Sequence, residues 1–130
     1  MSATTTVAGK LAELGYTNVF TTPPSVLVCC EPIVVAPGGW EREARLPDGG
    51  ERGFEDVGVL VCCDDPRDAE GTCRACEREL RAASWDGAVD SDGCRLVSID
   101  SDGPRARGRD ASGRWLWGFS LRCVVVRKIG

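Results

Sequence analysis

Alternation of apolar and polar side chains is clearest in the last part of the sequence. Large apolar residues occupy every second position from Trp115 to Val125, with arginine, glycine or serine at most positions between them. Because successive side chains of a strand point to opposite faces, this spacing predicts a long strand with one face in the core. The run from Val57 to Cys63 is continuously apolar, which favours a central strand covered on both faces.

Helical periodicity marks two further segments. Val7, Leu11 and Leu14 lie at offsets i, i+4 and i+7, which predicts a helix over residues 4–14. A second helix is predicted after Asp65, whose side chain can cap the first turn. Its predicted core stripe consists of Ala69, Cys73, Cys76, Leu80 and Ala83.

The order of the elements indicates the fold class. Shorter apolar runs predict further strands at residues 18–21, 26–35 and 94–99. Both helices carry an apolar stripe that must be buried, and only the sheet offers a large apolar surface. We therefore expect residues 1–130 to form a single α+β domain. It should contain a mostly antiparallel or mixed β-sheet with two helices packed on one face.

Residues 36–56 differ in kind from the segments around them. Glycine, proline and charged residues punctuate this stretch, which also contains Trp40. The pattern predicts either a projecting hairpin arm with its turn near Asp48 and Gly49, or a loop. Such a segment is either solvated or becomes ordered on contact with a partner.

Charge is unevenly distributed along the chain, whose formal net charge is −4. Residues 1–100 carry 9 basic and 18 acidic side chains, whereas residues 101–130 carry 7 basic and 2 acidic ones. The acidic part repels phosphate backbones and disfavours nucleic-acid binding, while the basic part suits an acidic surface on a neighbouring subunit. Because the sequence shows no secretory signal and no apolar run of roughly 20 residues, we expect the chain to stay where it is made.

Eight cysteines raise the question of metal binding. Cys73 and Cys76 could supply two zinc ligands, and a zinc-stabilised protein-binding module organised by this pair is the alternative function. The cysteines that could complete such a site are Cys62, Cys63 and Cys94. The pair coincides, however, with the core stripe of the second helix, which favours reduced core thiols and no metal or cofactor.

Catalytic groups are missing from the sequence. Without histidine the chain cannot form a Ser-His or Cys-His couple, and it contains no glycine-rich phosphate-binding motif. We therefore expect no catalytic residues and no enzymatic activity.

A basic stretch precedes the last predicted strand. Arg105, Arg107 and Arg109 alternate, so they could line one face of an extended edge segment. This stretch either keeps a sheet edge soluble or pairs with carboxylates across a subunit interface. The candidate interface residues, from this stretch and from the arm, are Trp40, Arg42, Arg45, Arg105, Arg107, Arg109, Asp110 and Arg114.

The motif Gly-Arg-Asp-Ala-Ser-Gly-Arg-Trp at residues 108–115, leading into an alternating strand, resembles small structural proteins of tailed bacteriophages. These proteins are tail terminators, tail completion proteins and minor capsid-type proteins, and their order of elements matches as well. The resemblance implies no catalytic residues. It implies that the working parts are loops and arms, which map onto residues 40–45 and 105–114.

The same resemblance implies a homo-oligomeric ring, typically a hexamer, that caps the tail tube and joins it to the head-side connector. The implied partners are other copies of the chain, the tail tube protein and the head–tail connector proteins. DNA would only pass through the channel, and no membrane is involved. The implied location is the host cytoplasm during assembly and afterwards the tail or neck of the virion.

Overall fold

The structure, a computed structural model, describes residues 2–85, 87–89 and 93–127. Within these residues two helices and six strands follow one another in an α+β order, as the sequence predicts. In chain order they are α1 (Ser2–Glu13), β1 (Val19–Phe20), β2 (Ile33–Arg45), β3 (Glu51–Cys63), α2 (Pro66–Ala82), β4 (Arg95–Ser101), β5 (Arg105–Arg109) and β6 (Trp115–Arg127).

The described strands form one mixed sheet in the order β1-β2-β3-β6-β4. β1 runs parallel to β2, and the other neighbours are antiparallel. β3 pairs with β6 without interruption, from Glu51 opposite Arg127 to Cys63 opposite Trp115. Because β3 occupies one edge of β6 along its whole length, β4 and β5 share the other edge.

Both helices pack on one face of the sheet, which we name the covered face. The odd-numbered residues of β3 and β6 point towards the helices, and their burial follows the alternation seen in the sequence. This confirms the predicted fold class, a mixed sheet with two helices on one face. The strand residues of this core include Ile33, Val35, Val57, Val59, Val61, Phe119, Leu121, Cys123 and Val125.

The second helix, α2, follows its sequence signals closely. The Asp65 carboxylate accepts a hydrogen bond of 2.7 Å from the backbone N–H of Arg67, and Pro66 occupies the first turn. The buried side of the helix consists of Ala69, Cys73, Cys76, Glu77 and Leu80. The predicted stripe is therefore confirmed as far as Leu80.

The first helix, α1, begins over a buried carboxylate. Glu55 in β3 is 2% exposed, and its Oε2 accepts a hydrogen bond of 3.2 Å from the backbone N–H of Ala3. Its Oε1 accepts one of 3.2 Å from the guanidinium of Arg127. Because α1 has no acidic residue in its own first turn, Glu55 supplies the negative charge that stabilises the positive end of the helix dipole.

The strand predicted over residues 26–35 is wrong in its first part, because β2 begins only at Ile33. The preceding residues belong to a crossover. β1 is parallel to β2, so residues 21–32 must return the chain to the starting end of the neighbouring strand. Cys29 and Cys30 therefore lie in this crossover and not in a strand.

Residues 57–63 form a central strand as predicted, since β3 lies between β2 and β6, but the expectation that they are covered on both faces is wrong for most of the run. No described helix packs on the opposite face of the sheet, which we name the open face. Gly58 and Leu60 point to it and are half-buried, whereas Val59 and Val61 are fully buried beneath the helices. Burial thus alternates as far as Val61, whereas Cys62 points to the open face and is only 4% exposed.

Residues 36–56 form the paired ends of β2 and β3 together with the turn between them. The Leu46 N–H donates to the Gly50 carbonyl at 2.8 Å, and the Gly49 N–H donates back to Leu46 at 3.0 Å. Gly49 has a φ of +89°, a conformation that favours glycine. Of the two alternatives, the segment therefore has the hairpin form, with its turn at Asp48 and Gly49.

Candidate functional site: surfaces for subunit contact

Trp40 belongs to the internal packing of the hairpin. The Arg127 guanidinium lies 3.5 Å from the centroid of its ring. On the partner strand, a Cβ added to Gly53 would lie 2.9 Å from the same ring and 2.3 Å from the carbonyl of Glu41. Only glycine allows this approach. Trp40 therefore packs against the core and holds β2 on β3, which was not foreseen from its place in a polar segment.

The two arginines of the arm are exposed. Arg42 makes an ion pair of 3.5 Å with Glu51 across the hairpin, and its side chain stays about half exposed. Arg45 is exposed at the end of β2. Exposed ion pairs contribute less than about 1 kcal/mol. Both guanidinium groups can therefore turn to a partner at little cost.

The three alternating arginines of β5 do not line one face. A β-bulge lies between Ala106 and Gly108, so Arg107 is an extra residue opposite β6. Arg105 pairs with Gly118 and lies on the open face. Arg109 lies on the other side, with its guanidinium 4.8 Å from the centroid of the Trp115 ring.

Asp110 and Arg114 are engaged within the turn between β5 and β6. The Asp110 carboxylate accepts hydrogen bonds from the backbone N–H groups of Ser112 and Arg114, and from the Arg114 guanidinium at 2.8 Å. Arg114 also donates to the carbonyl of Cys30 at 2.9 Å, which ties the crossover to this turn. Desolvation raises the pKa of Asp110, but the bonds from Arg114 and Ser112 outweigh it and leave the pKa below its ordinary value.

The predicted interface residues thus divide into two groups. Arg42, Arg45, Arg105 and Arg107 are exposed and remain candidates for a subunit contact. The other four hold the arm and the turn in shape, and of these only Arg109 is also exposed; they are Trp40, Arg109, Asp110 and Arg114.

Sequence reasoning missed an apolar groove on the open face. Its volume is about 560 Å³, and its floor lies along β3 and β6. The only sequence signal was Leu116, an apolar residue at a position of β6 where the alternation calls for a polar one. The lining residues include Pro23, Val34, Ala36, Gly58, Leu60, Arg107, Leu116 and Gly118.

Two glycines shape the floor of the groove. A Cβ at Gly118 would lie 2.8 Å from the Val59 carbonyl, so this position excludes a side chain. A Cβ at Gly58 would meet nothing nearer than the Ala36 carbonyl at 3.9 Å, so this position has room for one. Because no side chain projects from these two positions, the surface of the sheet is recessed here.

Three consecutive apolar residues of the crossover, Val26, Leu27 and Val28, are exposed, and we name them the apolar knob. Leu27 is 98% exposed, and the two valines are 46% and 71% exposed. The carbonyl of Ser25 accepts hydrogen bonds from the N–H groups of Val28 and Cys29 at 3.0 and 3.1 Å. This turn presents the knob to solvent.

The far end of the open face is charged. The Arg122 guanidinium lies 4.4 Å from the centroid of the Phe54 ring and 2.6 Å from the Glu41 carboxylate. A neighbouring pair, Arg52 and Glu43, is 3.2 Å apart and about half exposed. The apolar groove is thus confined to one end of the open face.

The cysteine pair of α2 lies in the core. Burial raises the pKa of the Cys73 thiol to about 12 and that of Cys76 to about 11, so both stay protonated near neutral pH. Because zinc binds the thiolate, this environment opposes metal binding by the pair. Among the described residues, no three cysteine, aspartate or glutamate side chains are grouped to hold a metal ion. None of the described helices is long and apolar enough to cross a membrane.

Comparison with solved structures shows where this fold occurs. The chain is similar to a chain in the virion of a native gene transfer agent (GTA) particle, with a TM-score of 0.61 and 20% sequence identity. The similarity covers 96% of this chain and 95% of the other. No protein-family model and no curated protein matches the sequence. The two chains therefore share a fold.

Proposed function

We propose that this chain is a structural protein of a phage-like virion, of the tail-terminator or neck type, that acts by assembly and not by catalysis. The observation that carries the proposal is the fold shared with a virion chain over nearly the whole length of both chains. The motif at residues 108–115 supports it, because it resembles small structural proteins of tailed bacteriophages. In the structure, Asp110 and Arg114 of this motif build the turn that precedes the last strand.

In this proposal the chain forms a homo-oligomeric ring, of about six copies, between the tail tube and the head-side connector. Ring closure needs a heterologous contact, in which one surface meets a different surface on the next copy. The four arginine candidates lie at two separate places, with Arg42 and Arg45 on the β2–β3 hairpin and Arg105 and Arg107 on β5. Each pair can meet carboxylates of a neighbouring copy or of the tube.

DNA would pass through the ring without binding, since the chain as a whole is acidic and repels phosphate. The protein would assemble in the host cytoplasm and remain in the neck of the particle.

Tube assembly in vitro tests the proposed function. The tail tube protein encoded by the same genome would be polymerised with and without this chain and imaged by electron microscopy. We expect shorter tubes that carry a ring at one end, and native mass spectrometry of the ring should show about six metal-free copies. Tubes of unchanged length with no bound chain would overturn the proposal.

The exposed arginines give matched variants for the same assay. Arg105→Glu with Arg107→Glu should weaken ring formation. The ion pair of Arg105 with Asp102 (3.4 Å) is exposed and Arg107 is exposed as well, so both guanidinium groups can turn to a partner at little cost. The control is Arg67→Glu with Arg78→Glu, two charge reversals of the same kind at exposed positions of α2. If the control and the variant form rings to the same extent, β5 is excluded from the subunit contact.

A further inference from the structure

We propose that copies of this chain join by inserting the apolar knob of one copy (Val26, Leu27 and Val28) into the apolar groove on the open face of the next. This contact deepens the proposed function and rests on it, because that function requires copies to associate. The knob lies outside the basic stretch and the arm, whereas Arg107 of the basic stretch lines the groove.

Exposure of the knob is the first observation. A leucine that is 98% exposed, between valines that are 46% and 71% exposed, leaves a contiguous apolar surface in water. The knob does not fill the groove of its own chain, although Pro23, three residues before it, lines that groove. Its exposed side chains are therefore available to a second molecule.

Fit of the groove is the second observation. A volume of about 560 Å³ lies within the range of about 300–1,000 Å³ that is typical of binding pockets. The groove is largely apolar, and Gly58 and Gly118 keep its floor low. The chain thus exposes both an apolar projection and an apolar recess of suitable size, and these are two different surfaces, as a heterologous contact requires.

The third observation is the charge of the residues next to the groove and next to the knob. Arg107 lines the groove, and within residues 2–85, 87–89 and 93–127 no carboxylate forms an ion pair with it. The knob is followed by Glu31, whose carboxylate accepts a hydrogen bond of 3.0 Å from the backbone N–H of Asp64. Asp64 and Asp65 are exposed there. Docking would bring this acidic group near the basic rim, which commits the groove to a second copy of the chain and not to an unrelated apolar ligand.

Two variants separate the surfaces. Leu27→Asp destroys the knob at a position where the folded chain makes almost no contact. Gly58→Leu fills the groove at a position that has room for a side chain. The control, Val97→Asp, places the same charge at a partly exposed apolar residue of β4, away from both surfaces.

Sedimentation velocity over a concentration series, under reducing conditions, measures the association. We expect wild type and Val97→Asp to associate, and Leu27→Asp and Gly58→Leu each to raise the apparent Kd at least about tenfold. Mixing the two variants should restore one contact, between the intact knob of one and the intact groove of the other. The mixture should therefore give a heterodimer and nothing larger.

Two results would overturn the contact: a wild-type chain that stays monomeric at every concentration, or a Leu27→Asp chain that associates as tightly as wild type. Circular dichroism checks that each variant is folded. If Gly58→Leu does not fold, Leu27→Asp alone decides the outcome. A chain that associates through the knob but does not cap tubes would overturn the proposed function and leave this contact standing.

Discussion

The two faces of the sheet use the same strands in different ways. On the covered face, odd-numbered residues of β3 and β6 are apolar almost throughout, and Glu55 has its charge matched by Arg127 and by the start of α1. On the open face, even-numbered residues divide into an apolar groove at one end and ion pairs at the other. The covered face therefore stabilises the fold, while the open face is free to serve a partner.

A leucine-to-alanine substitution should lower the free energy of unfolding by different amounts on the two faces. Leu121→Ala removes a fully buried side chain of β6 on the covered face and should lower the free energy of unfolding by about 2–5 kcal/mol. Leu60→Ala, on the open face, should cost less than half as much, because Leu60 already meets solvent. Urea denaturation under reducing conditions measures both. Similar losses would show that the open face is covered in solution.

Glu55, a carboxylate of the covered face that contacts α1, gives the next largest effect. Glu55→Ala should lower the free energy of unfolding by about 3 kcal/mol, because it leaves the α1 terminus and the partly buried Arg127 without their acceptor. Glu43→Ala is the control, since its pair with Arg52 is exposed and worth less than about 1 kcal/mol. If thermal melts show the same small shift for both variants, Glu55 does not anchor the helix.

Core thiols should make the covered face sensitive to alkali. Burial raises the pKa of the Cys123 thiol to about 12, while an unfolded cysteine ionises near pH 8.5. The contribution of this thiol to the free energy of unfolding is therefore fully present below about pH 8.5. It falls as the pH rises towards 12, since in this range the thiol loses its proton only in the unfolded state. Urea midpoints measured between pH 7 and 10 test this, and Cys123→Ala should flatten the decline. An unchanged slope in that variant would place the alkaline effect elsewhere.

The turn between β5 and β6, which is hydrogen-bonded to the crossover, should have the smallest effect on stability, and this effect should appear at acidic pH. Because the pKa of Asp110 lies below its ordinary value, its contribution to stability is complete above about pH 4 and is lost as the pH falls through the lowered pKa. Asp110→Asn should be slightly less stable than wild type at pH 7 and show a smaller further loss between pH 5 and 2. Parallel curves for the two chains would exclude the Asp110–Arg114 pair as the cause.

Most of the fold could be predicted because local signals agreed with tertiary burial. The alternation in β6 is imposed by one buried face, and the start of α2 is encoded by Asp65 and Pro66. The crossover could not be predicted, because Val-Leu-Val has the composition of a strand and its exposure depends on the parallel pairing of β1 with β2. Local sequence does not encode that pairing.

The candidate surfaces were predictable only by residue type. Contact residues were expected at residues 40–45 and 105–114, and within these ranges the structure leaves Arg42, Arg45, Arg105, Arg107 and Arg109 exposed. The bulge at Arg107 was not foreseen, because an extra residue in one strand is visible only against its partner. The groove was missed for a similar reason, since it combines single residues from several strands. That the exposed arginines form a subunit contact stays a prediction.

The uninterrupted pairing of β3 with β6 also determines the order in which the strands can pair during synthesis. Residues 51–63 are made well before residues 115–127, so β3 can pair with β2 early while its other edge waits for β6. Bringing such distant segments together costs loop-closure entropy and slows folding. During synthesis the waiting edge is an unpaired apolar strand, which is open to wrong pairing with other chains. Slow translation prolongs the exposure of this edge and should therefore lower the yield of folded protein.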